Sequence, residues 1–213
     1  MKGKICIILT FIFSFVVINA FPVVSWSYSD FYLIEQSLSK DISFVENGVK
    51  VEYETNESIE ETLNSILNQM SKYYDNEILQ VSKDSINVEL DKSKINVNFY
   101  NNHSKNLVEI IITNFSKEKN ILNLMQDLSQ LQVNTLKNPR YFQYLKGKIN
   151  TVEDGISLIT KENKIEDIDT LDVHNGYVGT GKLPDKERVN FAVSTYDSGT
   201  YLVIGTPIIF STY

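Results

Sequence analysis

After a long apolar block near the N-terminus, hydrophobic and polar positions alternate along this chain with two recurring periods. Over 30–40, Phe31, Ile34 and Leu38 fall on one face of a short helix. Ile59, Leu63, Ile66, Leu67 and Met70 recur at steps of three and four, which predicts an amphipathic helix over 57–73. The period then changes to two. Ile86, Val88 and Leu90 alternate with Asn87 and Glu89, and Ile95, Val97 and Phe99 with Asn96 and Asn98. Such alternation describes strands with one covered face and one wet face. The helix over 57–73 is the expected cover. Asp91 to Ser93 turns the chain, residues 101–106 form a longer polar turn, and 107–115 continue as a more apolar strand.

Turn chemistry completes the first half. Asn47-Gly48 suits the positive φ angles of a type I′ turn, so 42–46 and 49–54 are expected to pair as a hairpin. The longest helix is expected over 118–136, with Ile121, Leu124, Met125, Leu128 and Leu131 on its buried side and Asn138-Pro139 ending it. The pattern then restarts. A strand over 142–149 precedes a short helix from Thr151 to Ile159, capped by Thr151 and weakened by Gly155. A loose, glycine-containing strand follows over 171–183, and 189–195 pairs with 200–210 around Asp197-Ser198-Gly199. Gly205 and Pro207 are expected to bend the last strand, with Leu202, Ile204, Ile208 and Phe210 all reaching the core.

The order β–α–β–β–β therefore appears at 42–115 and again at 142–210. The expected fold is α+β: pseudo-duplicated β-α-β-β-β lobes forming a curved, mainly antiparallel sheet with helices on one face. The first lobe with its linking helix occupies 28–137 and the second lobe 138–213. Joining the two half-sheets edge to edge removes an exposed edge from each.

The apolar block changes the picture from fold to place. Met1 to Lys4 is short and basic, and residues 5–24 are interrupted only by Thr10, Ser14, Asn19 and Pro22. Ser25 and Ser27 put small residues at −3 and −1 of a cut before Tyr28, the layout of a secretory signal. The same stretch has the length of an uncleaved membrane anchor. Residues 1–27 are thus a signal peptide or an N-terminal anchor, and the body is expected outside the cytoplasm. Cys6, the sole cysteine, lies in this leader, so the body forms no disulfide and offers no thiol.

Losing Lys2 and Lys4 with the leader moves the net charge from −7 to −9. A body so acidic, with only Arg140 and Arg188 as guanidinium donors, is poorly suited to nucleic acid. No cofactor, metal ion or catalytic residue is expected from the motifs. The acidic run Glu166 to Asp169 lacks the spacing and the turn glycine of a calcium loop. Gly176, Gly179 and Gly181 precede Pro184 and a strand rather than a helix, so they are expected to bend a strand, not to cradle phosphate. His103 sits in a polar turn. Asp172, His174 and Asn175 form the one polar grouping around a histidine that suggests a site, and they are expected in a solvated loop. The sequons at Asn56, Asn102 and Asn114 follow from an Asn- and Ser-rich composition.

The C-terminal segment Gly205-Thr206-Pro207-Ile208-Ile209-Phe210, with Tyr213 last, resembles the YwmB family of Gram-positive bacteria. The leader and the two-part α/β order fit the same family. The resemblance implies a TATA-box-binding-like fold, a paired α+β repeat with a saddle-like sheet, and supplies no functional residues. The functional expectation is an exported cell-envelope binding or scaffold domain whose partner is an envelope protein or glycan. An envelope hydrolase using carboxylate or His174 chemistry is the alternative. Nucleic-acid binding, suggested only by the fold label, is disfavoured.

Overall fold

A computed structural model describes residues 30–74, 78–102, 105–132 and 136–211. The leader and His103 lie outside them. Helix α1 (Asp30–Leu38) leads into strand β1 (Ser43–Thr55) and helix α2 (Ile59–Tyr73). Strands β2 (Ile78–Val81), β3 (Ser85–Glu89), β4 (Ser93–Asn102) and β5 (Lys105–Asn114) follow, then helix α3 (Ile121–Leu131). The second half runs through β6 (Lys137–Ile149), α4 (Val152–Lys161), β7 (Glu166–Val173), β8 (Gly176–Lys182), β9 (Arg188–Tyr196) and β10 (Gly199–Thr206).

The ten strands form one antiparallel sheet in the order β2-β3-β4-β5-β1-β6-β10-β9-β8-β7. The protein is therefore α+β. The seam between the halves is the β1–β6 ladder, which pairs Asn47 with Leu145, Val49 with Gln143 and Val51 with Tyr141. Helix α3 packs on β1 and β5, with α1 and α2 beside it, and α4 packs on β9, β10, β6 and β8. The apolar positions of the period-two strands meet these helices. Val49, Val51, Ile86, Ile95, Val97, Val108, Ile110, Phe191, Val193, Leu202 and Ile204 join Phe31, Ile34, Ile66, Ile121, Leu124, Leu128 and Ile159 in one core. Each such side chain contributes about 1.5–3 kcal/mol by leaving water.

The helix starts follow local chemistry. Ser58 and Glu61 complete a capping box on α2, and Asn120 and Asn123 do the same on α3. Thr151 Oγ1 accepts from Asp154 N at 3.1 Å to start α4. Among the described residues α2, at 15 residues, is longer than α3 at 11, contrary to the expected order. Pro139 also lies in β6, not at a helix end, with Asn138 at φ 49° beside it. The cover differs as well: α3, not α2, makes the main contact with β1 and β5.

Asn47-Gly48 does not turn. It lies inside the 13-residue strand β1, opposite Leu145 and Tyr144 on one side and Asn114 and Thr113 on the other. Glycine is needed there for room: a Cβ on Gly48 would stand 2.3 Å from Tyr144 Cε1 and 2.9 Å from the Ile112 carbonyl oxygen. We expect Gly48→Val to destabilise the protein by about 1–3 kcal/mol, the usual cost of overpacking, or more. Chemical denaturation monitored by tyrosine fluorescence would measure it, and an unchanged midpoint would show that the seam can yield.

The expected single strand over 171–183 is also corrected. β7 and β8 form a hairpin joined at His174-Asn175, with Val173 opposite Gly176. The extra strand fits because a Cβ at Gly179 would meet Phe191 Cζ at 2.3 Å, so the glycine lets the core phenylalanine lie against the backbone.

Candidate functional site: the open face of the sheet

Strand alternation and register divide the sheet into a helix-covered face and an open face. On β1 the open face carries Gly48, Lys50, Glu52 and Glu54, opposite Thr113, Ile111, Glu109 and Leu107 of β5. Asn96, Asn98 and Tyr100 continue it on β4 and Asn87 on β3. Across the seam it carries Arg140, Phe142, Tyr144, Lys146 and Lys148, then Tyr201, Val203 and Gly205 of β10.

A charged network holds the middle of this face. Lys50 is only 7% exposed. Its Nζ lies 2.7 Å from Glu52 Oε1 and 3.4 Å from Glu109 Oε2. Arg140 Nη2 holds Glu52 Oε2 at 2.6 Å, and Asn98 Nδ2 donates to Glu109 Oε1 at 3.0 Å. The Lys50 ammonium also sits 4.3 Å from the Phe142 ring centre and 5.3 Å from that of Phe210, a cation–π arrangement that offsets its lost hydration. Outward along the first half, Asn96 Nδ2 donates to Asn87 Oδ1 at 2.6 Å. Tyr100 remains 48% exposed beside Glu109. Partial burial, with the Glu109 carboxylate next, raises its phenol above the ordinary range.

The chain beyond β10 turns back across this face. After the cis Thr206-Pro207 bond, the Phe210 ring packs edge-on to Tyr144 at 4.9 Å and to Phe142 at 6.3 Å. Ser211 Oγ and the Tyr144 hydroxyl both donate to Glu46 Oε1, at 3.0 and 3.1 Å. Leu202 and Ile204 enter the helix-side core as expected. Ile208 does not, being 49% exposed, and Phe210 packs on the opposite face, because the turn at Pro207 carries the chain around the sheet rather than along it.

The second half of the open face is aromatic and basic. Tyr196 and Tyr201 have ring centres 6.3 Å apart, and Lys146 and Lys148 stand 5.6 and 5.9 Å from the Tyr201 ring centre. Leu171, 65% exposed, lines a shallow pocket of about 360 Å³ with Val178, Thr180 and Ile209.

A second polar cluster lies under the helices. Glu35 of α1 is 4% exposed; its Oε1 accepts from Asn47 Nδ2 at 2.7 Å and its Oε2 from Ile121 N at 2.9 Å. Asn114 Nδ2 donates to Asn47 Oδ1 at 2.7 Å. Burial raises the Glu35 carboxyl above the ordinary range, against the lowering effect of those two hydrogen bonds. The carboxylate borders a pocket of about 280 Å³ with Tyr32, Gln36, Phe44 and Lys119. Both carboxylate oxygens are engaged in joining α1 to β1 and to the start of α3, a structural role.

His174 is exposed at the β7–β8 turn, Asp172 is exposed on β7, and Asn175 is half-buried. Asn175 Nδ2 donates to the Thr195 carbonyl at 3.3 Å, tying the turn to β9. The Asp172 carboxylate raises the Tyr177 phenol, first by its charge and then by a hydrogen bond. The three residues are thus brought to one end of the β7–β8 hairpin, outside the pockets described above. Among the described residues no group of three or more His, Cys, Asp or Glu side chains is placed to hold a metal ion. Nor is any of their helices long and apolar enough to cross a membrane.

Sequence reasoning missed the Lys50 network and the Glu35 cluster. A usable signal existed for the first: Lys50, Glu52 and Glu54 alternate with Val49, Val51 and Tyr53, which marks a strand with a charged face. Glu35 had none, since its partners are 12 and 86 residues away.

No family model matches the chain. No curated protein matches it either. Among solved structures it is similar to DynU16, a protein from the dynemicin biosynthetic locus, at 7% identity and a TM-score of 0.29, with 75% of this chain and 86% of that chain covered. A likeness at that level carries no argument about fold or activity.

Proposed function

We propose that this chain is an exported cell-envelope binding or scaffold domain that holds its partner on the open face of the sheet. One observation carries the reading: the face is a broad pre-ordered surface in which Lys50, Glu52, Glu109, Arg140 and Asn98 fix one another, flanked by exposed Tyr100 and Tyr196. Groups already held in place lose little further entropy on binding. A cleft with a nucleophile and its base would point to hydrolysis instead, and the exposed position of His174 gives that alternative no support. Glu46, Glu52, Glu54 and Glu109 on the open face oppose a phosphate backbone, and Lys146 and Lys148 beside Tyr201 are too few to offset them, so the nucleic-acid reading stays disfavoured.

The same reading includes residues 1–27 as a signal peptide or anchor and the body outside the cytoplasm, in keeping with the YwmB resemblance. It also takes 28–137 and 138–213 as pseudo-duplicated lobes. The strand order supports that, since each half places its first strand at the seam and its next strand at the outer edge.

Affinity capture from intact envelopes, with the full chain as bait, tests the proposal. We expect Tyr100→Ala with Tyr201→Ala to lose the captured partner and His174→Ala to retain it. Loss on His174→Ala alone, with the fold intact, would favour the hydrolase.

A further inference from the structure

We infer that the part of the open face over β3, β4 and β5 is a binding site for a neutral, polyhydroxylated ligand, a glycan, recognised by Asn87, Asn96, Asn98 and Tyr100. The inference rests on the reading of the open face as the binding surface and names the ligand class it takes.

The ionised groups of this half-face are already compensated. Lys50 is held by Glu52 and Glu109, Arg140 by Glu52, Lys94 by Glu89 at 3.2 Å and Lys105 by Glu54 at 2.5 Å. Each cation of this half-face is paired with a carboxylate of the same face. A charged ligand would have to break such a pair or leave its own charge uncompensated. Beside these compensated ions stand neutral amides with hydrogen-bonding capacity to spare.

The amides keep both donors and acceptors. Asn96 Nδ2 is spent on Asn87 Oδ1, and Asn98 Nδ2 on Glu109 Oε1. Asn96 Oδ1, Asn98 Oδ1 and Asn87 Nδ2 have no protein partner among the described residues. Fixed amide acceptors next to a fixed amide donor match vicinal hydroxyls, each of which donates and accepts. Asn98 and Tyr100 are successive open-face residues of β4, so the phenol ring stands one step along the strand from the amides. Its half-exposed face can cover the C–H side of a sugar ring.

The patch is poorly suited to a peptide. β3, β4 and β5 are each paired on both sides, so no strand edge is open to a peptide backbone. The large apolar side chains of β3 and β4, Ile86, Val88, Ile95, Val97 and Phe99, are spent on the helix side, and the two that β5 turns to the open face, Leu107 and Ile111, are half-buried opposite Tyr100 and Asn96, so little apolar surface is offered to an anchor residue. Asparagine is a poor strand former, yet three of the open-face positions of β3 and β4 carry it.

The test uses the full chain in a detergent without a sugar head group. Two neutral oligosaccharides, a hexamer of N-acetylglucosamine and a hexamer of glucose, are titrated while the side-chain amide resonances of Asn87, Asn96 and Asn98 are followed by ¹H–¹⁵N NMR. We expect saturable shifts of these amides with at least one probe. Tyr100→Ala and Asn98→Ala, each checked for an unchanged melting temperature, should weaken binding about tenfold or more. No saturable shift with either probe, or binding indifferent to both substitutions, would overturn the glycan assignment. If envelope capture still depends on Tyr100 and Tyr201 in that case, the face binds a protein and only the ligand class has failed. If capture is indifferent too, the reading of the face fails with it.

Discussion

Removal of Gly199 to Tyr213 should abolish cooperative unfolding of the whole sheet, not merely fray its end. β10 lies between β6 and β9, pairing Leu202 with Gly147 and Val193, and Ile204 with Leu145 and Phe191. Its loss removes the buried Leu202, Val203, Ile204 and Thr206 together. Two inner strands then become edges with unpaired backbone groups, and the seam strand β6 loses one of its neighbours. Three large apolar side chains at about 1.5–3 kcal/mol each already approach the total stability of an ordinary domain. Far-UV and near-UV circular dichroism during heating would measure the result. A truncated chain with a sharp, coincident transition in both would contradict the single-sheet account.

Replacing Glu35 with alanine is expected to cost about 2–5 kcal/mol. The substitution leaves the Ile121 N–H and one Asn47 amide hydrogen buried without an acceptor, each worth about 1–3 kcal/mol. It also removes the link between α1 and the first turn of α3, where a carboxylate suits the helix dipole. The pH dependence has a definite sign. Burial raises the Glu35 carboxyl in the folded protein above the ordinary carboxyl value of 4.5. The folded state therefore holds that proton at a pH where the unfolded state has released it. The contribution of Glu35 is greatest below the unfolded value and is lost as pH rises through the raised folded value. We expect the stability difference between wild type and Glu35→Gln to shrink as pH rises from about 4.5. Urea unfolding at several pH values measures it. A difference that grows with pH would mean that the two hydrogen bonds outweigh burial.

Most of the local structure was legible without coordinates. The stripe of Phe31, Ile34 and Leu38 and the alternation through Ile86 to Phe99 lead directly to α1, β3 and β4, because burial imposes a period that each backbone geometry expresses in its own way. The errors have a common origin. Asn47-Gly48 carries the chemistry of a turn, but the positions were selected by contacts distant in the chain: Asn47 by Asn114 and Glu35, Gly48 by the Tyr144 ring. The glycines over 176–181 likewise hid a hairpin, since what each makes room for is distant in the chain: the Val193 carbonyl at Gly176, the Phe191 ring at Gly179 and the Ile165 side chain at Gly181. Asp172, His174 and Asn175 attracted notice for their chemistry, yet a two-residue turn brings them to the end of a hairpin.

The sequence by itself determined the α+β class, the helix start at Thr151, and which strand positions are apolar, since capping and periodicity act within a few residues. Tertiary structure alone decided that β1 and β6 meet at a seam, that Lys50 is buried between two carboxylates, and that Phe210 lies on the face opposite the core. Those outcomes depend on strands paired across some 60 to 100 residues of chain, as Glu46 with Tyr144 and Lys50 with Glu109. No local pattern encodes which side chains such pairing will set side by side, and here it is that pairing which assembles the proposed binding face.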